Sequence, residues 1–592
     1  MKYKKILAVL SALTLAAAPL IGCSEAPKEN ATPTNTDPYD IPQDYCRTYY
    51  EVFVRSFSDG NGDGIGDIKG LINNLDYLND GDDSTTTDLG INGIWMMPIN
   101  SSPSYHKYDV EDYYNIDEEY GTLEDFDKLV EECNKRDIWL QMDLVLNHTS
   151  NNHEWFKQAV ADAKSGRRPE TSQYMQRYTF VRTDAVPSSG TYYKVDGTPY
   201  SYLANFSSVM PDLNLSNTAV REEIEKIVDF WLERGIRSFR LDAVPWACED
   251  SVIYSEANGE FWTWFNDYCN TKGAEVYGKE GDGINSYCYN VGEVWASESV
   301  IKEFFGTGMS NFNYGMAEDQ PTSGFIQVAR NESRYSLAAN LVSQVADMQT
   351  DILTRDPDAL LSNFLTNHDN SRSAGTLDYN KVLIKKAASL YMLMPGNPYI
   401  YYGEEIGAAG PGGASNTDPN KRLPFNWGDK SKGLTTNPPG VNFAEEFKGN
   451  QPLGTWKSQT DDADSVLTYY RNVIKFRNRF PEIGRGTMTA YAINGSGALQ
   501  KASEVSAGLA PTDSLTKVNF NNKRIAAYTL TWNERTVLIV QNVGDASAEL
   551  DISLFNGYDI VGKLCANSNK ANASLANGKL NMPAGTVAVL KK

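Results

Sequence analysis

Apolar and polar positions along this chain follow two rhythms that alternate with each other. Runs such as residues 91–99 (I-N-G-I-W-M-M-P-I) and 138–146 (I-W-L-Q-M-D-L-V-L) are apolar nearly throughout, as strands covered on both faces are. Between them lie stretches with apolar residues three and four apart, at 71–78, 123–134 and 218–234, which predict amphipathic helices. Residues 47–57 (R-T-Y-Y-E-V-F-V-R-S-F), rich in β-branched and aromatic side chains, read as a first strand. Further strands are expected at 236–241, 287–291, near 312–316, at 363–366 and at 398–402. Strands separated by helices pair in parallel through right-handed crossovers, and eight of them close an α/β fold of the (β/α)8 (TIM) barrel type.

The alternation is interrupted twice. Residues 149–208 hold many Tyr, Ser, Thr and Gly without a clear helical period and read as an excursion inserted after the third strand. From about residue 485 short alternating runs such as 524–532 and 536–542, separated by turn residues, predict a C-terminal antiparallel β-sandwich. The N-terminus differs from both. Lys2, Lys4 and Lys5 precede an apolar run, 6–21, whose length suits a signal peptide better than a membrane span. The expected division is therefore a signal peptide (1–22), a tether (23–44), a barrel in two parts (45–148 and 209–484) around the insertion (149–208), and the sandwich (485–592). Residues 24–38 contain three prolines and no large apolar residue, which predicts a flexible tether.

Three predicted strands end in carboxylates. In G-I-R-S-F-R-L-D-A-V (235–244), Arg240 and Asp242 are two apart and so share one face of the strand. Alone, the pair would read as an ion pair at a strand end, because buried charges need partners. Glu293 ends the strand-like 286–295, and Asp369 follows that in 361–372. In a parallel barrel all C-terminal strand ends share one rim, so Asp242, Glu293 and Asp369 are expected to converge, as glycosyl transfer through a covalent intermediate requires. Just after the first strand, D-G-N-G-D-G-I-G-D places oxygen donors at alternate positions with glycines between them, the pattern a hard cation such as Ca2+ needs. Asp59, Asn61, Asp63 and Asp67 would bind through side chains and Ile65 through its carbonyl. The spacing matches half an EF-hand loop, but no Glu stands at the twelfth position. The bland alternative is a flexible acidic glycine loop.

A net charge of −22 over 592 residues argues against nucleic acid and anionic lipid surfaces as partners, since both need a basic footprint. A neutral substrate fits better, and 34 Tyr and 11 Trp supply ring faces suited to sugars. Of the seven cysteines, the six beyond Cys23, at 46, 133, 248, 269, 288 and 565, lack metal-site spacing and lie in predicted core, which predicts buried free thiols.

Five short motifs in order, D-L-V-L-N-H (143–148), M-P-D-L-N (210–214), F-R-L-D-A (239–243), G-E-V-W (292–295) and T-N-H-D (366–369), resemble those of the α-amylase family of retaining glycoside hydrolases. The resemblance covers nearly everything after the tether. It implies a barrel domain A, an inserted domain B and a C-terminal domain C. It also implies Asp242 as nucleophile, Glu293 as general acid and base, and Asp369 as the carboxylate that positions and distorts the sugar. His106, Tyr108, His148, Arg240, His368 and Arg372 would bind substrate, Tyr108 by stacking under the sugar ring. Arg240 would keep Asp242 ionised, while Glu293, beside other carboxylates and Trp295, would hold its proton. The Asp59–Asp67 loop resembles the structural Ca2+ loop of the family's oligosaccharide-cleaving members. L-I-G-C (20–23) resembles a bacterial lipobox, which would make Cys23 the lipidated N-terminus of an exported enzyme anchored at the cell surface; an ordinary cleaved signal is the alternative.

The chain also departs from the family's patterns. Pro245 and Trp246 replace a Lys and His that help hold a second calcium between domains A and B, which argues against that site. Tyr105 stands where chain-end-trimming members carry an Asp, and this favours internal, endo-acting cleavage of α-1,4 bonds in starch or maltooligosaccharides. The metal loop and M-P-D-L-N lean the other way, toward exo-acting oligo-α-glucosidases or neopullulanase-like enzymes. An α-glucan transglycosylase would use the same residues. A non-catalytic glucan-binding scaffold is disfavoured, because all three carboxylates are present.

Overall fold

A computed structural model of the chain describes residues 44–248, 252–278, 288–317, 324–330, 337–410, 417–442, 451–504, 523–567 and 571–592. The signal peptide, Cys23 and all of the tether but Asp44 lie outside the described residues. Eight parallel strands close a barrel: β1 (Tyr49–Val52), β2 (Gly93–Met96), β3 (Trp139–Leu144), β4 (Ser238–Leu241), β5 (Tyr289–Gly292), β6 (Ser310–Phe312), β7 (Leu361–Phe364) and β8 (Asn397–Tyr401). Each strand neighbours its predecessor, and β8 closes on β1. All eight expected strands are present, most of them shorter than the apolar runs that announced them. β1 shows why: after Val52 the chain turns into the short helix Val54–Phe57, which leads into the Asp59–Asp67 loop.

Side chains alternating along each strand sort the barrel interior into layers. In one layer Tyr49 stacks on Tyr399 with ring centroids 4.8 Å apart, and Gln141 Nε2 donates to Ser238 Oγ at 2.5 Å and to Tyr399 at 3.2 Å. Two residues further toward the C-terminal rim, β1, β3 and β4 contribute Glu51, Asp143 and Arg240, all at most 1% exposed. Phe239 and Leu241 take the alternate positions on β4 and are fully buried.

Two of the three predicted helices form where the apolar period places them, whereas 71–78 is two short helices, Ile68–Asn73 and Leu75–Leu78, divided at Asn74. Leu123–Asn134 starts at a reciprocal Thr122–Asp125 capping box and buries Phe126, Leu129 and Cys133 at helical spacing. Thr218–Glu233 is capped by Asn217 and buries Val220, Ile224, Ile227, Val228 and Trp231. It ends before Gly235 (φ +110°), where a Cβ would sit 2.5 Å from Val130, so only glycine permits this turn into β4.

The excursion carries a three-stranded sheet (Phe180–Arg182, Tyr192–Lys194, Tyr200–Leu203) and, contrary to the sequence expectation, an eleven-residue helix, Glu154–Lys164. Its buried stripe is Phe156, Ala159 and Ala163, and two alanines give little apolar contrast to read. The C-terminal unit packs a six-stranded sheet against a three-stranded one, as a β-sandwich does. Its central hairpin, Ile525–Trp532 with Arg535–Asn542, turns through Asn533 and Glu534, both at positive φ as a two-residue hairpin turn requires. Gln349 joins this unit to the barrel, donating to the Gly486 carbonyl at 3.0 Å and accepting from the Met488 amide at 2.8 Å. Among the described residues Cys46, Cys133, Cys269 and Cys565 are free, buried thiols, while Cys288 is buried and Cys248 half-buried. Among the described residues no helix is long and apolar enough to cross a membrane.

Candidate active site

At the C-terminal rim of the barrel a cavity of about 450 Å3 is lined by Asp242, Glu293 and Asp369 together with His106, Tyr108, His148 and Arg422. The three carboxylates that the sequence places on separate strand ends thus share one cavity. Its walls are largely apolar: Phe206 and Met210 from the excursion, Ala243, Pro245, Trp246 and Val252 after β4, and Trp295 after β5. Trp295 is 44% exposed and stacks on Tyr314 with centroids 5.3 Å apart, and Phe206, 49% exposed, packs edge-on against Trp246.

Arg240 is the electrostatic centre. Its Nη1 donates to Asp242 Oδ1 at 2.6 Å and to Asp143 Oδ1 at 2.9 Å, and its Nη2 pairs with Glu293 Oε1 at 2.9 Å. The guanidinium is 1% exposed, so one buried cation faces three carboxylates, an arrangement that a rigid planar fork can serve and a lysine cannot. Burial drives the Glu293 carboxyl above its ordinary range; Arg240 opposes this, and Asp242 and Asp369 reinforce it. Burial likewise pushes Asp143 up to about 7 against the pull of Arg240. Asp143 Oδ2 also accepts from Tyr108 at 3.0 Å and from the Trp95 indole at 3.2 Å.

The turn after β4 is strained to serve this geometry. Ala243 adopts a left-handed conformation (φ 51°), which costs an L-residue roughly 1–2 kcal/mol, and its amide donates to Glu293 Oε2 at 3.0 Å. Across the cavity, Asp369 Oδ1 accepts from Arg422 Nη2 at 2.8 Å, and Asp369 Oδ2 lies 3.1 Å from His368 Nε2. Burial alone would raise the Asp369 carboxyl, but His368, Arg422 and Arg240 together hold it well below the usual carboxylate range. His368 is pushed up to about 9: burial would lower it, and Asp369 and Glu51 prevail.

The remaining sequence-predicted residues divide. Tyr108 lies half-buried on the cavity wall, its ring stacked on that of His368 at 5.5 Å. His148 Nε2 donates to the Tyr108 carbonyl (3.2 Å), and burial lowers the ring to about 4, so it is neutral at physiological pH. His106 hydrogen-bonds Ser104, which in turn bonds Asp109. Arg372 is not brought to the cavity. It is buried between Tyr401 and Tyr402, and its donors are taken by the Lys421 and Tyr402 carbonyls. Arg422, which the sequence reading missed, faces Asp369 instead. His153 caps the helix Glu154–Lys164.

In the loop after β1, Asp59 accepts from the amides of Asn61, Gly62 and Gly64, Asn61 from Asp63, Asp63 from Ile65, and Asp67 from Gly60, Asn61 and Gly70. Gly62 and Gly64 have positive φ, which lets the backbone wind round these oxygens. Among the described residues no group of three or more His, Cys, Asp or Glu is drawn together as metal ligands. The chemistry of the set nonetheless fits a hard cation: every candidate donor is an oxygen, and Asn61 and the Ile65 carbonyl add neutral ones.

Comparison with known proteins places these observations. Residues 51–486 match the family described as Alpha amylase, catalytic domain. The chain is 35% identical over 467 residues to Alpha-amylase 3 of Dictyoglomus thermophilum, spanning 76% of this chain and 80% of that one. It is 31% identical to the trehalose synthase/amylase TreS of Mycobacterium tuberculosis, covering 74% and 75% of the two chains. The solved structure of Eubacterium rectale Amy13B superposes with a TM-score of 0.80 at 35% identity, covering 95% of this chain and 99% of that one.

The charge pattern around His368 has a pH signature. A histidine whose folded value is raised stabilises the fold fully below its unfolded value of about 6.5 and loses that contribution as pH rises through its folded value, here about 9. Asp369, held low, contributes above its unfolded value of about 4 and loses its contribution below it. The melting advantage of the wild type over His368→Gln should therefore be largest near pH 6 and shrink steadily by about pH 10. A gap that stays constant or widens over that range contradicts the charged state assigned to His368.

Proposed function

The chain belongs to the α-amylase family and is a retaining glycoside hydrolase, and from that premise we propose that it cleaves α-1,4-glucosidic bonds within starch or maltooligosaccharide chains. Asp242 attacks the anomeric carbon while Glu293 gives its proton to the departing glycosidic oxygen; water then attacks the glycosyl–Asp242 ester, Glu293 takes the water's proton, and Asp242 leaves. The observation that carries this reading is the shared guanidinium. Asp242 and Glu293 are each one hydrogen bond from Arg240, at 2.6 and 2.9 Å. One buried guanidinium thereby gathers the two carboxyl groups that the reaction needs into a single cluster. The raised Glu293 carboxyl supports its role as the acid. Asp369, kept ionised by His368 and Arg422, is suited to grip sugar hydroxyls, and His106, Tyr108 and His148 line the same cavity.

Internal cleavage is supported by Tyr105, which lies within 3.5 Å of Arg422 and packs on Phe53, and by the likeness to a protein described as an α-amylase. A second reading, transfer to a sugar acceptor in place of water, draws on the apolar wall of Ala243, Pro245, Trp246 and Val252 in the same cavity as Glu293 and on the likeness to TreS. Products from soluble starch, maltotriose and pullulan separate these readings. Mixed maltooligosaccharides released early from starch support endo-hydrolysis; glucose alone indicates an exo-glucosidase, and products longer than the substrate indicate transfer. Asp242→Asn and Glu293→Gln should each lower turnover at least about a thousandfold with the fold intact. A folded variant keeping more than about a tenth of the activity would remove its residue from the assignment.

We propose further that the Asp59–Asp67 loop binds one structural Ca2+ through Asp59, Asn61, Asp63, Ile65 and Asp67. A cation bound only to the folded state adds roughly 2.7 kcal/mol at a hundredfold excess over its dissociation constant. Chelation, or Asp63→Ala, should lower the melting temperature while the initial rate at mild temperature holds. Loss of rate without loss of stability would make the metal part of the chemistry and refute the structural role, and a melt that Asp63→Ala leaves unchanged would refute the site.

Export and anchoring rest on the L-I-G-C sequence, and the anchor proposed is a lipid on Cys23 that holds the enzyme at the bacterial cell surface. Cys23→Ser should move the protein from the membrane fraction to the soluble one. Continued pelleting with membranes would rule the lipid out.

A further inference from the structure

Glu51 is a carboxylate buried inside the barrel, 1% exposed, in a strand where the sequence offers no reason for a charge. It makes one strong contact. Its Oε1 lies 2.6 Å from His368 Nδ1 and also faces the His368 backbone amide at 3.4 Å. The other ring nitrogen, Nε2, lies 3.1 Å from Asp369 Oδ2 and 2.7 Å from the Tyr108 hydroxyl. That hydroxyl donates to Asp143 Oδ2 at 3.0 Å, so toward His368 it has only a lone pair to offer. Both nitrogens of His368 therefore face acceptors: Glu51 on one side, Asp369 and the Tyr108 oxygen on the other. A neutral imidazole has a single N–H and would turn a lone pair against a carboxylate on one side or the other; only the imidazolium donates in both directions.

The other charged groups around this ring are Arg422, whose Nε donates to the His368 carbonyl at 3.2 Å, and Arg240 of β4, beyond Tyr108 and Asp143. Both are cations, and both oppose a charge on His368. Glu51 lies away from the cavity lining; burial pushes its carboxyl up, and His368, ahead of Arg240, is what holds it down, so the carboxylate and the imidazolium sustain each other's charge. Without it, Asp369 would be the one carboxylate left touching the ring, and it is divided between His368 and Arg422.

We propose that Glu51 is a positioning residue for the reaction: it holds His368 as an imidazolium, and through it keeps Asp369 ionised at the sugar and the Tyr108 proton turned toward Asp143. The result is a continuous line from Glu51 through His368, Tyr108, Asp143 and Arg240 to Asp242 and Glu293, in which each donor is committed to one direction. The catalytic consequence rests on the reading that Asp369 grips the substrate; the protonation state of His368 does not depend on it.

With four histidines in the chain, ring-nitrogen NMR of selectively labelled protein resolves the question, His368→Gln supplying the assignment. In the wild type, His368 should carry both ring protons at pH 7 and titrate near pH 9. In Glu51→Gln its midpoint should fall by at least about one pH unit, a tenfold change in proton affinity, and kcat on maltooligosaccharides should drop at least about tenfold. Glu51→Asp, which keeps the charge, should retain the raised midpoint and so separates charge from packing. A wild-type His368 that is neutral at pH 7, or a midpoint that Glu51→Gln leaves in place, overturns the proposal, whatever happens to the rate. Should Glu51→Gln fail to fold, the wild-type and Glu51→Asp titrations decide it alone. If the titrations behave as expected but the wild type hydrolyses no α-glucan, the charge arrangement stands and the functional reading falls.

Discussion

One buried cation holds this site together. Arg240, 1% exposed, faces Asp143, Asp242 and Glu293 with the two ends of a single guanidinium. Removing its charge would leave three carboxylates in a medium where each costs several kcal/mol to keep ionised alone, and breaking buried pairs of this kind typically costs 3–5 kcal/mol. The reverse also holds: without the carboxylates the arginine could not be buried in the barrel. The positions of Asp242 and Glu293 relative to each other are thus set less by the loops that carry them than by the group between them. Burial raises the Glu293 and Asp143 carboxyls, and because three negative charges share one positive one, Arg240 does not cancel that rise and the neighbouring carboxylates add to it.

Asp369 is governed by a second charge cluster. It sits between His368 and Arg422, and cations outnumber the anions that touch it, so its carboxyl is driven down where that of Glu293 is driven up. Two carboxylates lining one cavity thereby receive opposite proton affinities from their surroundings. Tyr108 joins the clusters, since its hydroxyl bonds both His368 and Asp143 while its ring forms part of the cavity wall. The barrel supplies the rigidity this needs. Glu51, Asp143 and Arg240 project from neighbouring positions of one interior layer, and the left-handed Ala243 bends the chain so that a backbone amide braces Glu293.

The fold was legible in the sequence because its two periodicities are strong: each expected barrel strand has a counterpart, and the helices expected at 123–134 and 218–234 begin and end within a residue of the pattern, while 71–78 divides into two short ones. The convergence of Asp242, Glu293 and Asp369 followed from one topological rule about strand ends. What stayed hidden depended on contacts between distant segments. Asp143 and Glu51 look like ordinary members of buried strands, and the partners that give them purpose lie 97 and 317 residues away. Arg372 and Arg422 show the same limit. Arg372 is near Asp369 in sequence, but the chain turns it under the rim onto Tyr401 and Tyr402, while Arg422, 53 residues beyond Asp369, returns after β8 to meet it. The helix Glu154–Lys164 was missed for a compositional reason, since alanines on its buried face blur the apolar stripe.

The central claim is that the Arg240-bound Asp242 is the group that becomes joined to the sugar. A slow-turnover fluorinated maltosyl substrate, incubated with the enzyme and followed by intact-mass measurement and peptide mapping, tests it directly. The account predicts a single added glycosyl group, carried by the peptide containing Asp242, and absent from Asp242→Asn. A label on any other residue, or a first product released with inverted anomeric configuration, would contradict it.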